Sequence, residues 1–299
     1  MSKSFKTHDE MIQILKERNL AIDDSAIDYL WRENYYCLIN GYKGFFLDEM
    51  IEEECFRTGT QFSDIVNLFT FDREVRNLFF KHILDIETTM KSVIAYRSSE
   101  FYKADQEFYL KPSTYTSKAN RAKNVETTIR KLEELKAPGS NSVQHYMKKH
   151  GTVPFWVIVK DMSFGALSYF YDLLESMALK DLIAQDFSKL SIVSYGKKKS
   201  FKVKSVTQDL RVLTDFRNVC AHNERFYCHE CLKINMLPNK RADVSYLAII
   251  LRKYLTSDCC ESFAEEYADI VNRWLGTPTF PPESMVKLFE AQGFAVEAK

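Results

Sequence analysis

The 299-residue chain balances 41 Lys and Arg against 41 Asp and Glu, so no net field draws it to nucleic acid or an anionic surface, and any basic face has to come from local segregation. Apolar residues at 45%, with 22 Phe and 16 Tyr, exclude a disordered chain. With only 9 Gly and 7 Pro the sequence is poor in the turn residues of sandwiches and barrels, which points to an all-α fold with a sizeable core.

Apolar residues recur at helical spacing almost throughout. Thr7 followed by Glu10 forms a capping box ahead of Met11 and Leu15, predicting a helix within 7–22. Ile27, Leu30, Trp31 and Tyr35 predict a second apolar stripe, ended by Gly41. The longest periodic stretch runs from Phe62 to Tyr102, with Ser63 and Asp64 suited to its N-cap and a division expected near Phe71–Asp72. A polar middle, about 109–150, holds one charged helix and the loop signal APGSNS at Ala137–Ser142. Val153–Glu175 is apolar enough to be buried, Pro154 marking a helix start and Gly165 a break or a close approach. Val206, Leu210, Leu213 and Phe216 form a core stripe in the next helix, and VSYLAIILRKYL and ESFAEEYADIVNRWL predict two more before the Pro-rich GTPTFPPE.

These elements divide into an N-terminal helical segment, 1–60, packed on a core, the core itself at 61–275 with the charged insertion at about 109–150, and a C-terminal tail at 276–299. There is no run of about 18 apolar residues and no basic start followed by an apolar stretch, so a cytoplasmic protein without a membrane partner is expected. Seven cysteines without a small-scaffold framework fit a reducing compartment.

Chemistry concentrates in DFRNVCAHNERFYCHEC, Asp215–Cys231. On a helix turning about 100° per residue, Asn218 and His222 share one face, and Arg217 lies about 140° round from His222, within reach of a long side chain. A histidine that titrates near neutrality can move a proton, and a guanidinium can neutralise charge developing on a phosphorane. The spacing alone equally fits a satisfied structural histidine. Cys228, His229 and Cys231, with Cys220 upstream, could ligate zinc, but a second Cys pair is missing. The Cys-x-x-Cys lacks the βαβ context of a redox pair, so scattered thiols remain the simpler reading, and neither metal nor cofactor is expected. Five lysines in GKKKSFKVK (Lys197, Lys198, Lys199, Lys202 and Lys204), with the charged Ser117–Lys136, are candidate RNA contacts or solvated surface.

RNVCAHNERFY resembles the Arg-x4-His motif of the HEPN superfamily, and specifically that of bacterial abortive-infection (Abi) proteins of the AbiD/AbiF type. Three further segments are similar to that family in the same order: YLWRENYYCLINGYKGFF (Tyr29–Phe46), FDREVRNLFFKHILDIETTMKSVIAY (Phe71–Tyr96) and VPFWVIVKDMSFGALSYFY, the likeness spanning roughly Leu15 to Leu275. Lys91 stands where the family commonly has an arginine four residues after the glutamate, here Glu87, and Lys160 or Asp161 where a glutamate is frequent. The resemblance implies a HEPN-like helical bundle elaborated with extra N-terminal and middle helices, pairing as a homodimer through its motif helices. It further implies phage defence by a metal-independent endoribonuclease. His222 would then be the general acid or base, Arg217 the phosphate clamp and Asn218 the orienting amide. Glu87 would fix Arg217, and Asn223 and Arg225 would support the site, Arg225 by a phosphate contact or a surface ion pair. Two other readings stay open: a non-catalytic protein in complex with a small structured non-coding RNA, and a purely structural helical interaction protein.

Overall fold

A computed structural model describes residues 4–103, 105–137, 140–191, 200–231 and 242–294. The α-helices are α1 (His8–Glu17), α2 (Ala26–Arg32), α3 (Phe62–Tyr102), α4 (Ala122–Lys136), α5 (Asn141–His150), α6 (Phe155–Ile158), α7 (Phe164–Leu173), α8 (Met177–Leu190), α9 (Val203–Ala221), α10 (Val244–Tyr254), α11 (Ser257–Trp274) and α12 (Pro282–Ala291). Among the described residues, β structure is limited to the isolated bridges Ala21–Gln61, Leu47–Phe56 and Tyr115–Leu174, so the all-α expectation holds.

Local signals act largely as their chemistry dictates. The Thr7 hydroxyl accepts from Glu10 N at 3.2 Å while the Glu10 carboxylate accepts from Thr7 N at 2.8 Å, closing the capping box of α1. Three expectations are corrected. The long stretch is a single 41-residue helix, α3, with no division near Asp72. Ser63 and Asp64 lie inside it, and Asp64 reaches back to accept from Gln61 N at 2.9 Å. The interruption fails because the Asp72 carboxylate turns inward to other partners instead of competing for its own helix backbone, and no Gly or Pro falls in the segment. Trp31, placed on an apolar stripe, is 74% exposed and meets the His8 ring edge-on at 4.5 Å.

The chain forms two compact units. One comprises residues 1–79, 219–229 and 264–299, and the other 80–218 and 230–263. The first unit packs Phe71 against Phe280 and Trp274, with ring centroids 5.6 and 6.4 Å apart, and Phe79 against Phe226 at 5.1 Å. Its C-terminal segment is anchored rather than trailing: Phe280 and Leu288 are fully buried, and Thr279 bonds both Asn67 (2.8 Å) and Asp64 (2.7 Å). The second unit is built on an aromatic run in which Tyr102 stacks on Phe108 at 4.2 Å and Phe155 on Phe170 at 4.5 Å. The polar middle enters that core through Tyr109, whose hydroxyl donates to the Val153 carbonyl at 2.7 Å, and through the buried Tyr115. The stripe Val206, Leu210, Leu213 and Phe216 of α9 is buried as expected.

The first unit also encloses a polar knot. Asp72, fully buried, accepts from the Tyr42 hydroxyl (2.6 Å), Phe226 N (2.9 Å) and Tyr227 N (2.7 Å). One turn on, Arg76 donates to the Glu224 carbonyl at 2.9 Å and the Asn223 amide oxygen at 3.2 Å, with its guanidinium 4.0 Å from Asp72. Burial raises the proton affinity of Asp72, and the three donors and Arg76 pull the other way. A guanidinium that is 1% exposed needs this carboxylate as its counter-charge. Asp72→Asn therefore sets an amide NH2 against a buried donor and strips Arg76 of that charge. Chemical denaturation should show a loss of about 3 kcal/mol, against about 1 kcal/mol for Tyr42→Phe, which removes one hydrogen bond. Equal, near-zero losses for both variants would show that the knot holds nothing.

Candidate functional site

The segment carrying the Arg-x4-His motif ends helix α9 and continues past it, Arg217 and Asn218 belonging to the second unit and His222, Asn223 and Arg225 to the first. The helix stops at Ala221 because Asn223 adopts the left-handed conformation, φ 55°, which asparagine tolerates better than most residues. Its N–H returns to the Cys220 carbonyl at 3.3 Å, and Glu224 N to that of Val219 at 3.0 Å, satisfying carbonyls at the helix end. His222 is thereby delivered to the surface at the helix terminus, and it is exposed.

In the second unit, Arg217 points its Nε at Glu87 Oε2 across 3.6 Å, and the side chain stays 31% exposed. The other oxygen of Glu87 meets Lys91 Nζ at 2.9 Å. A carboxylate on a residue only 7% exposed is thus shared by two cations, one per oxygen. Lys91 supplies charge without the planar fork of a guanidinium, and it also lies 3.4 Å from the Lys160 carbonyl. Asn218 is exposed and lines a cleft with Thr214 and Asp215 of the same helix.

In the first unit, Asn223 and Arg225 act on the chain that follows the motif. Asn223 ends the helix and accepts from Arg76, while Arg225 donates to the Gly41 carbonyl at 2.7 Å. The resemblance implies supporting roles for both but does not show these partners. In the sequence, Arg76 and Tyr42 stand out only within family-like segments, and Asp72 only as a point of division. The signal that could have singled them out is an Asp and an Arg at i and i+4 inside the apolar run FDREVRNLFF, where an unpaired charge would be prohibitive.

The cysteines are poorly placed for reaction. Cys220 is buried, its thiol pushed up to about 12 by desolvation, and burial also raises Cys228. Cys231 is buried and its N–H donates to the Ala242 carbonyl at 2.8 Å. Among the described residues no three His, Cys, Asp or Glu side chains converge as a metal-ligand set. Of the five lysines in the basic run, Lys202 and Lys204 are exposed at the head of α9, and Lys197, Lys198 and Lys199 lie outside the described residues. Among the described residues no helix is long and apolar enough to cross a membrane.

No curated protein and no solved structure matches this chain. The family profile of Abi-like proteins matches residues 28–228, a span that takes in Tyr42, Asp72, Arg76, Glu87 and the whole segment from Arg217 to Tyr227. The knot, the Arg217–Glu87 pair and the motif helix all lie within that match, and the chain belongs to the Abi-like protein family, the abortive-infection proteins of bacterial phage defence.

Proposed function

We propose that this protein acts in abortive infection by binding RNA and cleaving it as a metal-independent endoribonuclease of the HEPN type, working in the cytoplasm as a homodimer. The observation that supports the reading is the Arg217–Glu87 ion pair: a mostly buried carboxylate faces the guanidinium Nε at 3.6 Å, near the end of a helix after which His222 is exposed. Holding a guanidinium by that edge leaves its terminal nitrogens for the paired contact that a phosphate takes.

The chemistry follows from what these groups can do to a phosphodiester. The RNA 2′-hydroxyl attacks the adjacent phosphorus, the 5′-oxygen of the next nucleotide leaves, and a 2′,3′-cyclic phosphate remains. The attacking oxygen must lose a proton and the leaving oxygen must gain one, which an imidazole does near neutral pH, so His222 serves as acid or base. Arg217 stabilises the extra equatorial charge of the transition state, and Asn218, with an amide that both donates and accepts, orients the scissile group. The exposure of Asn218, His222 and Arg225 leaves the motif surface open to a second copy, which fits a site completed by two motif helices.

His222→Ala and Arg217→Ala should each lower cleavage about 10² to 10⁴-fold and abolish growth arrest, with RNA affinity and thermal midpoint near wild type, and Asn218→Ala should be milder. Products should end in 2′,3′-cyclic phosphate and cleavage should persist in EDTA. A His222→Ala protein that keeps wild-type activity refutes the mechanism. If that variant loses RNA and dimerisation together, the motif is scaffolding for an RNA–protein particle, the non-catalytic alternative.

Glu87 acts through Arg217 and is a positioning residue. Glu87→Gln keeps the size but not the charge, and it should lower kcat about tenfold with KM unchanged, because it loosens a group whose placement matters in the transition state. Glu87→Asp should recover part of the loss. A change confined to the thermal midpoint would assign Glu87 to stability alone.

A further inference from the structure

The second unit contains a basic groove that the motif does not explain. Asp172, near the end of α7, accepts on the single oxygen Oδ2 from Arg121 at 2.5 Å and from Arg211 at 3.0 Å. Lys180 adds a third cation, 2.9 Å from the Asp172 carbonyl. Burial opposes charge on Asp172, but the two guanidiniums outweigh it and hold the carboxyl below its usual range. Lys180 is pushed the other way, its pKa lowered by desolvation first and by neighbouring cations after that.

Two clefts meet at this group. One, of about 470 Å³, extends to Thr214 and Asn218, and the other, of about 740 Å³, extends past Lys118 and Lys180 to Lys204. Both are lined by Arg121, Asp172 and Arg211, so the two clefts adjoin at this group and run along α9 as a bipartite groove. From Lys204 to Asn218 that helix rises on the order of 20 Å, room for a few nucleotides of extended strand. The walls carry the cations Lys118, Arg121, Lys180, Lys204 and Arg211 against Asp172, Glu175 and Asp215, a local positive excess in a chain of zero net charge. Arg121 Nε and Thr214 Oγ1, both shielded from solvent, have no hydrogen-bond partner.

We propose that this groove holds the phosphodiester backbone of the bound RNA strand and leads it to Asn218, the motif residue at its end. The inference rests on the RNA reading above and adds the path of the strand. Two arginines sharing one carboxylate oxygen each have donor capacity left over, and a planar guanidinium gives it to a phosphate in pairs. Arg121, Arg211 and Lys180 gather at Asp172, and Lys118 and Lys204 line the larger cleft with them, so the positive lining extends beyond that one group, as a polyanionic strand requires. Lys118 and Arg121 come from Ser117–Lys136 and Lys204 from the lysine run, the two segments whose charges had two readings, RNA contact or solvated surface, whereas Lys180 and Arg211 come from neither.

The test uses the full chain and fluorescence anisotropy with two labelled probes, an oligo(U) of about 20 nucleotides and a transfer RNA. Arg211→Glu, Lys118→Glu and Lys204→Glu should each weaken binding more than about tenfold and flatten the dependence of log K on log salt by about one unit or more. Lys118 and Lys204 are exposed, so their variants report on the groove even if Arg211→Glu fails to fold. Arg211→Lys should retain most of the affinity. His222→Ala should bind as wild type does, which separates the groove from the chemistry. If the wild type binds RNA and the lysine variants keep its affinity and salt slope, the groove inference is overturned and the RNA reading stands. If the wild type binds neither probe, both fall. If ATP competes as well as the strand does, the groove is a mononucleotide pocket and the backbone path is wrong.

Discussion

A single buried carboxylate organises the segment on which the functional reading depends. Asp72 takes up the N–H groups of Phe226 and Tyr227 and the hydroxyl of Tyr42, while Arg76, one turn along the same helix, takes up the Glu224 carbonyl and the Asn223 amide. The irregular backbone after α9 is thus paired with side chains of α3, since it has no secondary structure of its own to satisfy it. Asn223 in its left-handed conformation lets the helix stop immediately before this clamp, so His222 follows directly on the helix end. The role proposed for His222 draws on such support, because errors of a fraction of an ångström are costly in a transition state.

The second unit balances charge in a similar way, with one carboxylate facing two cations. Glu87 does this for Arg217 and Lys91, and Asp172 for Arg121 and Arg211. In each case one carboxylate is shared by two cations, which leaves guanidinium donors for the anion proposed above. Lys91 contributes a charge to Glu87 at 2.9 Å, without the bidentate geometry of a guanidinium.

Overall neutrality, 41 cationic against 41 anionic residues, hides this arrangement completely. The basic groove draws Lys118 and Arg121 from one stretch and Lys204 and Arg211 from another. Each stretch is unremarkable in composition, and their juxtaposition makes the field.

Periodicity and composition sufficed for the helical class, the capping box at Thr7 and Glu10 and the buried stripe of α9, because those follow from contacts within a few residues of each other. The Arg-x4-His spacing was equally legible, as was the family, through four short segments in order. The continuity of α3 was not legible, since Asp72 reads as a helix breaker until its partners more than 150 positions away are known. Nor was the work of Asn223 and Arg225, whose partners Arg76 and Gly41 lie far upstream. The pairing of Glu87 with Arg217 could be anticipated only through resemblance to the family. Local propensity acts over a few residues, whereas a buried charge is decided by whichever distant group the fold brings to it, and that only the tertiary structure determines.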